Sequence, residues 1–402
     1  MGATLTSAAA ITKEVYGPRI VKQLEDETTL LTRIEKTSRG VESKVGGKYV
    51  TFPLRTRRNT GISYRNELEQ LGSPGQQGYA SVRVPLRYGY GRVHLSGQSI
   101  KLVKTDAQAF ANLMTEEMTN LKDDIAKDTN RILWGDGRGV LATVDTAAGP
   151  VNTVSVGTTD EAVKYLDIGM QIDILDSTGV TPKASNRQIT AINDATGDFT
   201  FDGAAATVVI GDIVVRTGNY GREPQGLQSI VKASGILFNL DPATEPLWKS
   251  YEDNTGGALS ESKMIKTADE VRKRGGKVSA IFTDLGSRRA YFNLLTTQRR
   301  YNDTKNFAGG IAGLAFNYGA KEIPVVEDVD APVGSTGGTM WFLNEDTFKV
   351  YRDEAWSWED TDGNVWKWVT NFDAFEALLK QYWEFANERR NSNGKMTGIT
   401  AG

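Results

Sequence analysis

Apolar residues recur at helical spacing over one long stretch of this chain, residues 105–134. Thr105 and Gln108 have the spacing of a capping box, and Gly135 follows the stretch as a C-terminal glycine would. At 1.5 Å per residue, such a helix spans about 45 Å, so the pattern predicts a long structural helix. Its apolar stripe has spacings of 4, 4, 3, 4 and 7 residues and consists of Phe110, Met114, Met118, Leu121, Ile125 and Ile132.

Two segments before this helix alternate between apolar and polar residues, as half-buried β-strands do. They cover residues 49–54 and 81–95, and between them lies the polar stretch NELEQLGSPGQQG. Glycine, proline and glutamine are typical of the tip of a turn. The pattern predicts a long β-hairpin within residues 46–96. A two-stranded hairpin is marginal in isolation, so we expect this one to need a neighbour.

The rest of the chain changes character several times. Residues 141–222 read as short strands with turn signals, which predict a small β-barrel or sandwich inserted into a larger domain. Residues 223–345 alternate helical and strand patterns, as an α/β domain does. Residues 346–402 return to long aromatic strands, although helix is an alternative for residues 374–386. Residues 1–45 favour short helical pieces that pack on another part of the molecule.

Composition excludes several classes of chemistry. The chain has 402 residues, a net charge of −3 and no cysteine, so thiolate nucleophiles and disulfides are excluded and a general nucleic-acid binder is disfavoured. Its one histidine, His94, lies in a predicted strand, where a structural role is the more common one. No phosphate-binding loop is present, no metal or cofactor site is predicted, and no apolar run reaches the roughly 20 residues of a membrane span.

Paired carboxylates remain open as a catalytic device. A glycosidase needs only two of them at a suitable distance, and Trp356 and Trp358 could provide a platform for a sugar ring. The alternative is that these aromatic residues fill a core or an interface. A carbohydrate-active enzyme therefore stays as one hypothesis.

Charge is unevenly distributed along the chain. Residues 41–100 contain nine basic and three acidic residues, whereas residues 343–402 contain seven basic and eleven acidic ones. One interpretation is that the basic hairpin of one copy lies on the acidic strands of the next, and the alternative is an ordinary solvated surface. The candidate contacts between subunits are Arg55, Arg57, Arg58, Arg65, Glu67, Glu69, Glu354, Glu359 and Asp360.

The order of these elements resembles the major capsid proteins of tailed bacteriophages, which have the α+β fold called Hong Kong 97-type. The matching pieces are the long hairpin, the long helix, the segment KEIPVVEDVDAP and the closing strands from TFKVYRDEAWSWED onward. The resemblance implies an N-terminal arm (1–45), an extended loop (46–96), a peripheral domain with a spine helix (97–140), a β-rich insertion (141–222), an axial domain (223–345) and C-terminal peripheral strands (346–402).

The same resemblance implies a structural protein without a catalytic site or cofactor. Copies of it would form hexamers and pentamers of an icosahedral shell, assembled in the host cytoplasm, that encloses double-stranded DNA without sequence-specific binding. A portal and a separate scaffolding protein are the expected partners, and no membrane is involved. Two further hypotheses stay open, namely an encapsulin-like compartment protein, which has the same fold, and a phage tail or baseplate protein.

One departure from that family concerns covalent links between subunits. Some relatives join subunits by a lysine–asparagine isopeptide bond whose lysine lies on the extended loop. No lysine occurs between Lys48 and Lys101 in this chain. We therefore predict that such crosslinks are absent.

Overall fold

The computed structural model describes residues 28–36, 41–43, 49–98, 107–146, 148–157, 162–298, 314–319, 321–334, 337–360 and 364–400. The described helices are α1 (Thr29–Lys36), α2 (Ala107–Trp134), α3 (Leu227–Ile230), α4 (Glu261–Lys273) and α5 (Leu285–Gln298). The strands of the first half are β1 (Val41–Ser43), β2 (Tyr49–Arg57), β3 (Gly78–Pro85), β4 (Arg87–Ser96), β5 (Val140–Thr143), β6 (Ala148–Val151), β7 (Thr153–Ser155), β8 (Gln171–Leu175), β9 (Pro182–Asn193), β10 (Asp198–Phe201), β11 (Ala206–Val208) and β12 (Ile213–Arg216). Those of the second half are β13 (Tyr251–Asp253), β14 (Ala280–Thr283), β15 (Ala315–Tyr318), β16 (Lys321–Glu327), β17 (Gly338–Leu343), β18 (Phe348–Arg352), β19 (Ser357–Trp358), β20 (Trp366–Trp368), β21 (Ala374–Asn387) and β22 (Gly394–Ile399).

The predicted long helix is confirmed as α2. Thr105, its expected capping residue, lies outside the described residues. The helix is half-exposed over its middle turns, where Leu121 and Ile125 are half-buried, and it ends in the core with Leu133 and Trp134 fully buried. The helix is therefore anchored at its C-terminal end. Among the described residues, no helix combines the length and apolar character needed to cross a membrane.

The hairpin is confirmed over its first arm and corrected over its second. Strands β2 and β3 pair antiparallel, with Tyr49 opposite Pro85. The predicted second arm is not one strand, because the chain changes partner at Leu86 and β4 pairs with β21 instead. Proline has no N–H to extend the first ladder, and the alternation of apolar and polar residues continues across the change. The sequence pattern therefore contains no sign that the partner differs.

Strand β21 organises the C-terminal sheet, which contains β1, β4, β18, β19, β20 and β21. The strand interpretation of residues 374–386 is confirmed, and the helical alternative is wrong. Two glycines of β4 allow close packing against this sheet. A side chain at Gly91 would meet Ile125 of α2, and one at Gly89 would meet the ring of Trp356.

Residues 140–216 form a sheet of their own, here called the 140–216 sheet. Its strand order is β5-β12-β8-β9-β10-β7, and β6 pairs with β11 beside it. Ile172, Ile174, Phe199 and Phe201 are buried in a hydrophobic cluster made by this part of the chain. The β character predicted for this segment is confirmed.

The central sheet has the order β13-β22-β17-β14-β16-β15. All residues of β14 and β17 are buried, as expected of central strands. The helices predicted around it are confirmed as α4 and α5, and the Ser260 side chain caps α4 by accepting a hydrogen bond from the Lys263 amide. The last strand, β22, belongs to this sheet, whereas the sequence pattern placed it with residues 346–402.

The largest hydrophobic cluster joins several of these elements. It draws residues from α1, the hairpin, the end of α2, the segment 227–248, the central sheet and the C-terminal sheet. Trp134 belongs to it and lies edge-on to Phe282 and Trp341, with ring centroids 6.1 and 5.7 Å apart. The hairpin strands thus share a core with the body of the protein, whereas the loop that joins them does not.

Candidate inter-subunit surface

Residues 58–77, here called the hairpin loop, connect β2 and β3 and expose large apolar side chains. The most exposed are Ile62 (79 %), Tyr64 (96 %), Leu68 (100 %) and Leu71 (84 %). Soluble monomers rarely expose several large apolar residues in one region, and such regions usually mark contacts with another protein. The hairpin loop is therefore the first candidate for a contact between subunits.

The tip of this loop is held by its own hydrogen bonds. The backbone and side-chain N–H groups of Asn66 donate to the two carboxylate oxygens of Glu69, at 3.1 and 3.2 Å. Leu68, inside this turn, has a φ of +64°. A leucine in the left-handed region is uncommon and strained, and such strain clusters at binding and switch sites. The turn therefore presents the Leu68 side chain outward between two acidic residues.

The predicted basic residues of the hairpin lie on its surface. Arg55, Arg58 and Arg65 are exposed, and no acidic residue of the described chain forms an ion pair with them. Arg57 is also mostly exposed, although its guanidinium lies 3.6 Å from the Glu245 carboxylate. An exposed pair at this distance contributes little to stability. The described part of the chain thus leaves most of this positive charge unneutralised.

The predicted acidic partners divide into two groups. Glu354 and Asp360 are exposed, as are Glu67 and Glu69 of the hairpin loop. Glu359 is half-buried and forms an ion pair with Lys380, whose hydrogen bond holds the pKa of Glu359 below its ordinary value. No ion pair among the described residues joins the basic hairpin to residues 354–360.

A buried ionic network ties α2 to the neighbouring segments. Arg131 donates to Asp128 at 2.8 Å and to Glu223 at 2.6 Å, and Arg216 of β12 donates to Asp128 at 2.7 Å. Burial alone would raise the pKa of Asp128, but the two guanidiniums overcome this effect and lower it. The network fixes the 140–216 sheet to the helix. Only the spacing of Asp128 and Arg131, three residues apart on a helix, could have indicated it from sequence.

Arg390 is a second buried arginine, and the sequence pattern does not single it out. Burial lowers its pKa to about 10. Its guanidinium holds the loop that follows α3 in place. The neighbouring residue is also an arginine, Arg389, but it is more exposed. The sequence alone therefore does not show which of the two arginines is buried. The backbone carbonyls that accept hydrogen bonds from Arg390 belong to Ser229, Ile230, Ser234, Gly235 and Trp248.

Glu384, in the second half of β21, is completely buried. Its carboxyl group accepts hydrogen bonds from the backbone amides of Gln225 and Phe385, at 2.5 and 3.2 Å, and lies 3.7 Å from Arg87. Burial raises its pKa to about 8, in spite of these lowering contacts. The carboxyl group is therefore largely protonated at neutral pH. It lies between Arg87 of β4 and Gln225, which belongs to the segment after the 140–216 sheet.

The geometry does not favour the glycosidase hypothesis. Trp356 lines a cavity of 530 Å³ together with Asp128 and Glu223. Both carboxylates are bound by Arg131, and the pKa of Asp128 is lowered, whereas a general acid needs a raised one. Glu384 has a raised pKa but is inaccessible to a substrate. Trp358 lies in β19, half-buried and opposite Leu379.

A triad or metal centre finds little support either. His94 is exposed on β4, opposite Glu376, which is paired with Arg92 at 2.5 Å. Over the described ranges of the chain, no group of three or more histidine, cysteine or acidic residues is arranged to hold a metal ion.

Comparisons with known proteins give a clear result at the level of structure. No protein-family model matches the sequence, and no curated protein matches it. The capsid asymmetric unit of cyanophage A-1(L) superimposes with a TM-score of 0.62 at 15 % identity, covering 99 % of this chain and 100 % of that chain. The capsid of a native GTA particle superimposes with a TM-score of 0.54 at 9 % identity, covering 100 % of both chains.

The chain has the fold of phage capsid proteins. The similarity extends over essentially the whole length of both chains. The mixed α+β class expected from the sequence is confirmed.

Proposed function

We propose that this chain is the major capsid protein of a tailed double-stranded-DNA bacteriophage. Copies of it assemble into hexamers and pentamers of an icosahedral shell. The observation that carries this proposal is the full-length similarity to the cyanophage capsid asymmetric unit at a TM-score of 0.62. A fold can host unrelated functions, so the surface of this chain has to support the same conclusion.

The hairpin loop provides that support. A monomer would leave Tyr64, Leu68 and Leu71 in water, whereas a shell of many copies can cover them. Burying apolar area contributes roughly 25 cal/mol per Å², and each subunit in a closed shell gains this contribution at several contacts. In the proposed assembly, the loop is an arm that lies on a neighbouring copy.

The charges of the hairpin indicate which surface of a neighbouring copy it contacts. We infer that Arg55, Arg57, Arg58 and Arg65 of one copy face the acidic segment around Glu354 and Asp360 of another copy. Glu359 belongs to this segment but is occupied by Lys380, so it contributes less. Opposed charges of this kind set register and association rate more than they set affinity.

The interior of the chain suits a shell subunit. Helix α2 is a strut of 28 residues whose end is fixed by the Arg131 network and by the Trp134 cluster. The helix carries Glu117, Asp123 and Asp124 on its surface, and acidic groups do not bind DNA phosphates. In the proposal, the protein encloses DNA without sequence-specific binding, in the virion, after assembly in the host cytoplasm with a portal and a separate scaffolding protein. It is a structural protein and not an enzyme.

Nucleic acid content separates this function from that of an encapsulin-like compartment. Particles purified from producing cells are treated with nuclease and then extracted. A phage capsid protein gives protected double-stranded DNA of uniform length. Particles that contain protein cargo and no protected DNA would overturn the proposal in favour of the compartment.

A further inference from the structure

A pocket lies at the edge of the central sheet. The residues that line it are far in sequence from the hairpin loop. The pocket has a volume of 360 Å³ and is formed by α4, the segment that follows it and the turn between β15 and β16. Its floor is apolar, since Ala268, Val278 and Ile323 are buried there. Over the ranges that the structure describes, the pocket opens to solvent and can receive a partner.

Three cations surround this apolar floor. Arg272, Lys277 and Lys321 line the pocket, and no acidic residue is among the lining residues. All three are exposed, and within the described ranges none of them forms an ion pair with an acidic side chain. Repulsion from Lys277 is the largest cause of a lowered pKa at Lys321, so the two ammonium groups lie close together.

Two acidic residues lie close to these cations along the chain, Asp269 and Glu322. Asp269, one turn before Lys273 on α4, accepts a hydrogen bond of 2.5 Å from the Tyr318 hydroxyl. Glu322 follows Lys321 on β16, where alternation directs it to the opposite face from Lys321 and Ile323. Asp269 is therefore one carboxylate near three cations, and its hydrogen-bonded partner Tyr318 also contacts Arg272. The remaining excess of positive charge costs free energy, which an anionic partner would recover.

We propose that the tip of the hairpin loop of a second copy, Glu67-Leu68-Glu69, docks into this pocket. Leu68 packs on the apolar floor, and the carboxylates of Glu67 and Glu69 pair with the cations of the rim. This proposal deepens the proposed self-assembly, on which it rests, by naming one of its contacts.

Three observations favour this occupant. Leu68 is fully exposed at a positive φ, so the tip already presents an aliphatic side chain between two acids. The pocket combines an apolar floor with a cationic rim, which is the complementary arrangement. A nucleic acid duplex presents phosphates but no aliphatic group of this shape, so it would leave the floor unfilled.

Disulfide trapping tests the contact without requiring a shell, because the chain has no cysteine. Leu68→Cys and Lys321→Cys chains, distinguished by a mass tag, are mixed and mildly oxidised. We expect at least about ten times more mixed disulfide dimer than in the control mixture of Leu68→Cys with Lys183→Cys, in which the second cysteine replaces an exposed lysine of β9. Equal yields in the two mixtures would overturn the proposal.

Charge reversal provides the second test. Lys277→Glu with Lys321→Glu, and separately Glu67→Lys with Glu69→Lys, should each weaken association between copies at least about tenfold, as measured by light scattering. In the chain that carries all four changes, association between copies should return to within about threefold of the wild-type value. All variants should melt like the wild-type chain. If they do and association of the combined variant still does not recover, the pocket binds a different anion and the proposal is overturned.

The two proposals fail in different ways. Specific trapping without shells would retain the pocket contact and contradict the capsid function. Shells without specific trapping would retain the capsid function and contradict the pocket contact.

Discussion

The arginines of the hairpin and the arginines of the interior are the same residue type in opposite situations. Arg131 and Arg390 are buried, and each donates several hydrogen bonds within the chain. Arg58 and Arg65 are exposed and have no acidic partner in the described chain. The buried pair stabilises the fold of one subunit. The exposed pair forms no ion pair within the described chain, and we propose that it contacts other copies.

Replacement of Arg131 should give the largest effect on the fold. Arg131→Met leaves the buried carboxylates of Asp128 and Glu223 without their main partner. Breaking a buried ion pair from one side costs about 3–5 kcal/mol. Denaturant unfolding of the isolated subunit measures this loss, and Arg58→Met is the exposed control. A loss below about 1 kcal/mol would contradict the structural role of the network.

Arg390 offers a matched comparison with its neighbour. Arg390→Lys keeps the charge, but a single ammonium group cannot satisfy the carbonyls that the guanidinium binds. We expect a loss of about 2–3 kcal/mol in the free energy of unfolding. Arg389→Lys, at the more exposed neighbouring position, should change it by less than about 0.5 kcal/mol. Similar losses for the two variants would show that burial of Arg390 does not matter.

The stability of the subunit should depend on pH through Glu384. Its pKa is raised from 4.5 to about 8, so the folded chain holds a proton that the unfolded chain releases. Stability therefore falls as pH rises, by about 2 kcal/mol between about pH 6 and pH 8. Glu384→Gln should remove this dependence. An equal change in the free energy of unfolding with pH for the two proteins would contradict the burial argument.

The exposed arginines should show the opposite behaviour to the buried ones. Arg57→Glu with Arg58→Glu should change the free energy of unfolding by less than about 0.5 kcal/mol and yet impair assembly. Lys183→Glu with Lys232→Glu is a matched control on another part of the exposed surface. Negative-stain imaging gives the readout, and normal shells from the arginine variant would remove the hairpin from the assembly contacts.

Covalent links between subunits should contribute nothing to the particle. Because the extended loop carries no lysine beyond Lys48, mature particles boiled in detergent should release a single band at the mass of one subunit. A ladder of higher bands would show that subunits are joined covalently by residues elsewhere in the chain.

Much of the fold could be predicted because local patterns dominate it. The apolar stripe of α2 acts over a few residues, and it identifies this helix directly. The partner change at Leu86 could not be predicted, because an alternating pattern defines a strand and not its neighbour. The placement of β22 with the wrong sheet has the same cause.

Some features of the candidate surface could likewise be predicted from the sequence, and others could not. The basic hairpin is visible as a local excess of charge, and the structure leaves Arg55, Arg58 and Arg65 exposed. Arg87 and Arg92 belong to the same excess but pair with Glu384 and Glu376 of β21 in the same chain. The pocket could not be predicted, since Arg272, Lys277 and Lys321 come from different elements that only the folded sheet brings together. Buried Arg131 and Arg390 look like surface residues in the sequence, because burial is a property of long-range packing.

Imaging of the purified wild-type chain tests the central claim most directly. The chain is expressed with and without its neighbouring genes, sized by light-scattering chromatography and examined by negative-stain electron microscopy. We expect closed shells or rings of capsomer size. A uniform monomer of 44.0 kDa under all conditions would contradict the proposal that this chain builds a shell.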